Sequence, residues 1–184
     1  MQDFVKNIIQ DLKVNLTDKF DKNFGNKSFF GKPWENTSIP NHRGSVMARS
    51  GKLRNSIRAR ETNNSINWSS SLPYATLQNE GGEIIVTEKM KRFFWAMYFK
   101  ADGATTFNRD KDKNVVLRQT ERNKKLTEEA KIWKALALQK VGAKMKIKQR
   151  QFIGDHPQVR QFIEQVVNKN MEELSKKIFN QLKP

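Results

Sequence analysis

The chain contains no cysteine. That excludes disulfides, thiolate metal sites and a cysteine nucleophile in one step, and it points to a reducing compartment. Histidine is nearly as scarce: His42 and His156 are the only two, so no His-x-x-x-His metal pair can be written. A DxDxDG calcium loop is missing, and Gly31-Lys32 and Gly51-Lys52 lack the rest of a phosphate-binding loop. No run approaches the roughly 18 consecutive apolar residues of a membrane span. Met1-Gln2-Asp3-Phe4 opens without the basic and apolar regions of a signal peptide. A soluble, cytosolic product with no membrane partner is the expectation. Acidic residues are the minority, 19 against 35 Lys and Arg, for a net charge of +16. The excess is greatest over residues 105–150, with 14 basic and 5 acidic side chains. Such a balance calls for a polyanionic neighbour, an acidic protein surface, or simply a solvated exterior.

Against those absences stand 12 Phe and 4 Trp in 184 residues, enough apolar surface for one domain with a core. Phe4, Ile8, Leu12, Leu16, Phe20 and Phe24 recur every fourth residue and predict an amphipathic helix over 2–24, closed by Gly25-Asn26. Residues 27–47 are rich in Gly and Pro and read as a loop. Its Phe29, Phe30 and Trp34 are costly to leave in water, so the loop should lie on the domain. Ser50 is placed to cap a short helix starting near Gly51, with Leu53 and Ile57 inward. Strands at 58–61 and 66–69 flank Asn63-Asn64 as a hairpin, with Arg58 and Arg60 on the exposed face.

Pro73 suits the first turn of a helix capped by Ser70 or Ser71, with Tyr74 and Leu77 inward and Gly81-Gly82 as the stop. Glu83 to Val86 reads as a third strand. Thr87 should cap a helix over 88–100, which is apolar nearly all round and therefore central or part of an interface. Residues 102–125 show no period and read as a flexible loop. Thr127-Glu128-Glu129 opens a further helix that stops at Gly142. Lys144-Met145-Lys146-Ile147-Lys148 alternates as a strand, its lysines guarding an edge or facing a partner. Asp155 should cap, and Pro157 begin, a long last helix with a stripe of Val159, Phe162, Ile163, Val166, Met171, Leu174, Ile178 and Leu182. The class is α+β: a small, mostly antiparallel sheet with a hairpin, packed by several amphipathic helices.

No acid/base pair emerges. Glu128-Glu129 sits as a dipole-favouring first turn, Glu172-Glu173 on a solvated face, and His156 at a helix start. The expectation is no enzyme, no cofactor and no metal.

Three boxes in order carry a resemblance. Met47, Ser50, Gly51, Leu53, Ser56 and Ile57 follow a Leu-x-x-(Ser/Thr)-Gly-x-Leu-x-x-Ser-Ile pattern, with Met47 in place of the leucine. Pro73, Tyr74, Ala75 and Gly81 follow Pro-Tyr-Ala-x-x-x-x-x-Gly. Arg150-Gln151-Phe152-Ile153-Gly154 follows Arg-Pro-Phe-(Leu/Ile)-Gly, with Gln151 in place of the proline. Together with Trp34 they resemble the bacteriophage virion morphogenesis, or tail-completion, family related to the Mu-type G protein, from about Pro33 to the C-terminus. The segment 83–142 exceeds the family pattern and reads as an insertion within a single domain spanning 1–184. The resemblance implies a structural protein that completes the tail or joins head and tail by ring-like self-association and docking to other virion proteins. It would work in the bacterial host cytoplasm and then in the virion, with no cofactor. Arg58, Arg60, Lys144, Lys146 and Lys148 are candidates to face packaged DNA or an acidic partner. A basic, sequence-nonspecific nucleic-acid-binding protein remains the open alternative.

Overall fold

The computed structural model describes residues 2–42, 44–62 and 64–181. In chain order they form α1 (Gln2–Asn26), β1 (Ser28–Phe29), β2 (Lys32–Pro33), α2 (Lys52–Ser56), β3 (Ile57–Glu61), β4 (Ile66–Ser70) and α3 (Ala75–Glu80). There follow β5 (Gly82–Ile85), α4 (Glu88–Asp102), β6 (Phe107–Arg109), β7 (Val115–Leu117), α5 (Glu121–Ala137), β8 (Lys144–Ile147) and α6 (Pro157–Gln181). The fold is α+β. Its strands form four separate antiparallel pairs, β1–β2, β3–β4, β5–β8 and β6–β7. Among the described residues no helix is long and apolar enough to cross a membrane.

The chain divides into two compact units. The first holds Met1–Asn36, Arg43–Gly81 and Lys148–Pro184. Here α1 does what its four-residue period dictates: Leu12, Leu16, Phe20 and Phe24 are all buried. The first three pack with Phe29 and Val159, flanked by Trp68, Phe162 and Val166. Phe20 meets Trp68 edge-on at 5.2 Å, and the Trp68 indole donates to Thr17 Oγ1 at 2.9 Å. Phe24 belongs to a second cluster with Trp34, Leu53, Ala75 and Phe152. The aromatics of the 27–47 loop thus lie on the unit, with Phe29 and Trp34 buried. The β3–β4 hairpin keeps Arg58 and Arg60 exposed, opposite Ser69 and Asn67. Asn63 of its expected turn lies outside the described residues, as does Leu182 of the last stripe; Thr62 N donates to Ser65 O at 2.8 Å.

Three expected caps are corrected. The Ser50 side chain caps nothing: Gly51 stands at the N-cap of α2 at φ 69°, a left-handed value that a side chain would strain. Pro73 precedes α3 rather than entering it, and the Ser70 hydroxyl instead accepts from Leu72 N at 3.2 Å. At α6 the ring of His156, not Asp155, accepts the free Gln158 N–H at 3.2 Å. Asp155 pairs with Arg160 through its carboxylate.

The second unit holds Thr37–His42 and Gly82–Ile147. Thr87 caps α4 as expected, accepting from Met90 N at 3.2 Å. α4 and α5 pack through Phe94, Ala101, Ala130, Trp133 and Ala137, the three alanines letting the backbones approach. Residues 102–125 are not the expected loop. They contain the β6–β7 hairpin and the start of α5, which Thr120 caps seven residues before the expected Thr127 opening. The sequence hid this because the hairpin is exposed on both faces and has no apolar period; polar bonds organise it instead. Asn123, 1% exposed, donates to Thr106 O at 2.7 Å and Arg118 O at 2.8 Å, and accepts from Thr106 N at 3.1 Å. At the tip, Asp110 Oδ1 accepts from Asp112 N and Asn114 N. Asn123→Ala should therefore cost about 1–3 kcal/mol and raise amide exchange across 106–118. Unchanged exchange there would show that the clamp is dispensable.

Candidate functional site

The three boxes, far apart in sequence, meet in one place in the first unit. Leu53, Ala75 and Phe152 are buried against Phe24 and Trp34, with Met47 and Ile57 packed alongside. Phe152 lies 5.3 Å from Phe24, and Phe24 lies 5.6 Å from Trp34 edge-on. The Trp34 indole donates to Gln151 O at 2.7 Å. Ser56 Oγ donates to Leu53 O and bonds Ser70 Oγ, both at 2.7 Å, tying α2 to the end of β4. Arg150 is 9% exposed and its guanidinium Nε donates to Glu35 O at 3.1 Å, while Arg150 N donates to Gln78 O at 2.7 Å. Gly154 sits at φ 128°, where an added Cβ would meet the Gln151 amide at 2.9 Å. Gly81 ends α3 at φ 75°.

Three box positions stay outside this cluster: Tyr74 is 42% exposed rather than inward as expected, and Ser50 and Pro73 are exposed. Ala75 takes the inward place: α3 begins there, three or four residues after the expected start, and Tyr74 is its exposed N-cap. Sequence reasoning missed two asparagines that complete the site. Asn79 Oδ1 accepts from Phe152 N at 2.9 Å and Ile153 N at 3.1 Å. Asn23, 4% exposed, donates to Phe152 O at 3.4 Å and accepts from Phe30 N at 3.2 Å. Asn79 lies within the second box's span and Asn23 on the buried turn of α1. A polar residue inside an apolar stripe was the available signal.

Of the five candidate basic residues, two are paired with carboxylates. In the second unit Lys144 pairs with Glu83 at 2.9 Å, and β8 keeps Lys144 and Lys146 exposed with Met145 and Ile147 half-buried. In the first unit Lys148 pairs with Glu35. The Lys148 ammonium holds the exposed Glu35 carboxyl below its ordinary pKa. Arg58 turns back on its own chain, donating to Asn55 O at 2.8 Å and Ile57 O at 3.0 Å. Arg60 and Lys146 form no ion pair among the described residues.

One titratable cluster lies in the second unit. His42 Nε2 stands 2.8 and 2.9 Å from the two carboxylate oxygens of Glu129, and Trp133 Nε1 donates to Glu129 Oε1 at 3.0 Å. Glu129 is therefore in the third turn of α5, not the expected first turn, and it ties the 37–42 segment to α5. Burial works to raise its pKa, but the bonds from His42 and Trp133 outweigh burial, and the carboxyl titrates below its ordinary value. No group of three or more metal-ligating residues occurs among the described residues. The cluster around Phe152 is built of apolar rings, backbone acceptors and amide side chains.

A lowered folded pKa stabilises the fold above the ordinary carboxylate range and loses that contribution as pH falls through the lowered pKa. Glu129→Gln should thus flatten the acid limb of a melting-temperature profile below about pH 4.5 while lowering stability at neutral pH. An unaltered acid limb would show that the pair contributes nothing. Phe152→Ala should cost about 3–5 kcal/mol in urea unfolding. Ser50→Ala should stay within about 0.5 kcal/mol, where a lost helix cap would cost about 1 kcal/mol.

No protein-family model, curated protein or solved structure matches the chain.

Proposed function

We propose that the chain is a structural component of phage assembly, completing the tail or joining head and tail by self-association and docking to virion partners, with no catalytic turnover. One observation carries the reading: the boxes at 47–57, 73–81 and 150–154 converge with Trp34 on a single cluster. Residues that make up the resemblance are spent on shape, and they shape one unit together.

Exposed apolar side chains support the reading further, because surfaces that meet protein carry them. In the second unit Phe99, Ile85 and Phe93 are 64%, 62% and 54% exposed. The expected apolar circumference of α4 is therefore divided between a packed side and an open one. The alternative, nucleic-acid binding by the isolated chain, is weakened by the ion pairs of Lys144 and Lys148. What remains is a salt-sensitive, sequence-blind attraction to polyanion.

The test is deletion of the coding segment from the phage genome that carries it, followed by electron microscopy of lysates. The expected result is separate heads and tails, or tails with an unfinished end, restored by the chain supplied in trans. Normal infectious titre after deletion overturns the proposal. So does a purified chain that stays monomeric at all concentrations and binds DNA tightly with a steep salt slope.

A further inference from the structure

The β6–β7 hairpin is a ribbon without a core of its own, and an isolated pair of strands buries too little to order itself. Polar bonds order it instead, from Asn123 at its base and Asp110 at its tip. Its two faces are unequal. Phe107 stands opposite Leu117 and Arg109 opposite Val115, so these four share one face. Thr106 belongs to the other face, and its hydroxyl donates to Asn123 Oδ1 at 3.3 Å. The face of Phe107 and Arg109 is therefore turned away from the Asn123 clamp on α5. There Phe107 is 57% and Val115 69% exposed.

Charge gathers on the same segment. Residues 105–125 hold seven cations and three carboxylates. Two of the three carboxylates are occupied locally: Asp110 accepts from Asp112 N, Asn114 N and Asn114 Nδ2, and Glu121 pairs with Lys124 at 2.8 Å. Arg109, Lys111, Lys113, Arg118, Arg122 and Lys125 are exposed and form no ion pair among the described residues. Lys144 and Lys148, by contrast, each hold a carboxylate.

We propose that the Phe107 face of this hairpin, with the cations at its tip and base, binds single-stranded nucleic acid. The site is additional to the assembly reading and does not rest on it. Six cations without carboxylates call for phosphates or for an acidic protein. The ring decides between them. Phe107 presents an open π surface about 7 Å along the strand from Arg109, so a base stacked on the ring brings its own phosphate towards the guanidinium. Acidic side chains offer the ring nothing to stack on, and a duplex keeps its base faces stacked on one another. An open aromatic ring among unpaired cations is what sequence-tolerant binding of a single strand requires.

The test is fluorescence anisotropy of the full chain with a labelled oligothymidylate of about 16 nucleotides. The expected Kd is about 1–100 μM at physiological salt, with binding about fivefold weaker or more for a duplex of equal length and for polyglutamate. Lys111→Gln with Lys113→Gln should weaken binding and flatten the salt slope by about 1.4, since each phosphate contact on a single strand contributes about 0.7. Lys144→Gln with Lys146→Gln removes as much charge from β8 and should leave that slope unchanged. Phe107→Ala and Phe107→Leu should each cost about fivefold or more in single-strand affinity and abolish the preference over duplex, while Phe107→Trp retains it. Leucine keeps apolar bulk without a ring, and amide exchange across 106–118 checks that the hairpin survives each change.

Equal binding of the duplex or of polyglutamate overturns the proposal. So does a Phe107→Leu chain that binds the single strand as the unaltered chain does, or an equal loss of slope from the two lysine pairs. Sedimentation reads self-association separately, so either reading can fail without the other.

Discussion

The backbone of Phe152 is held from two sides while its ring fills the space beside Phe24. Asn79 takes its N–H and Asn23 approaches its carbonyl. Those two amides fix a loop that has no strand or helix of its own to supply partners, so its polar groups would otherwise be buried unpaired. The ring in turn meets Phe24 on α1, which meets Trp34, and the Trp34 indole returns to Gln151 O. The first unit is therefore closed by a circuit of contacts between segments remote in sequence. Its parts are interdependent, as expected where polar bonds sit in a low-dielectric interior.

The charge of the chain has a different organisation. Cations are met locally by carboxylates: Arg54 by Asp21, Lys13 by Glu61, Lys144 by Glu83, Lys148 by Glu35 and Arg160 by Asp155. These pairs are exposed and individually weak. They orient side chains more than they stabilise the fold, and they use up most of the acidic groups near the named basic residues. The net charge of +16 stands all the same, since 35 cations outnumber 19 carboxylates.

Much of this was legible in sequence where apolar period decided structure. α1, the β3–β4 hairpin, α4 with its Thr87 cap, β8 and α6 all follow from spacing of Phe, Leu, Ile, Val and Met. Legibility failed where polar groups decided. Thr120 and Asn123 organise 106–123 through hydrogen bonds, and their text of Lys, Arg, Asn and Asp is indistinguishable from a solvated loop. The same holds for caps: Ser50, Ser70 and Asp155 are suitable residues in suitable places, yet Gly51 and Tyr74 stand before α2 and α3, and at α6, which starts at the expected Pro157, the His156 ring takes the Gln158 N–H. Of the site, the boxes could be read as text. Their convergence could not, since nothing local in Leu53, Ala75 or Phe152 specifies the others as neighbours.

The β5–β8 pairing has a consequence for the chain as a whole. Gly82 stands opposite Ile147, so the ends of the long excursion between them lie one strand spacing apart, about 5 Å. A segment that leaves and returns at a single point adds almost nothing to the closure entropy of the fold it interrupts. Such a segment can be lengthened, shortened or exchanged over evolutionary time without moving the residues on either side of it. The pairing is, in effect, a socket: it closes the segment on itself whatever the chain does between Gly82 and Ile147.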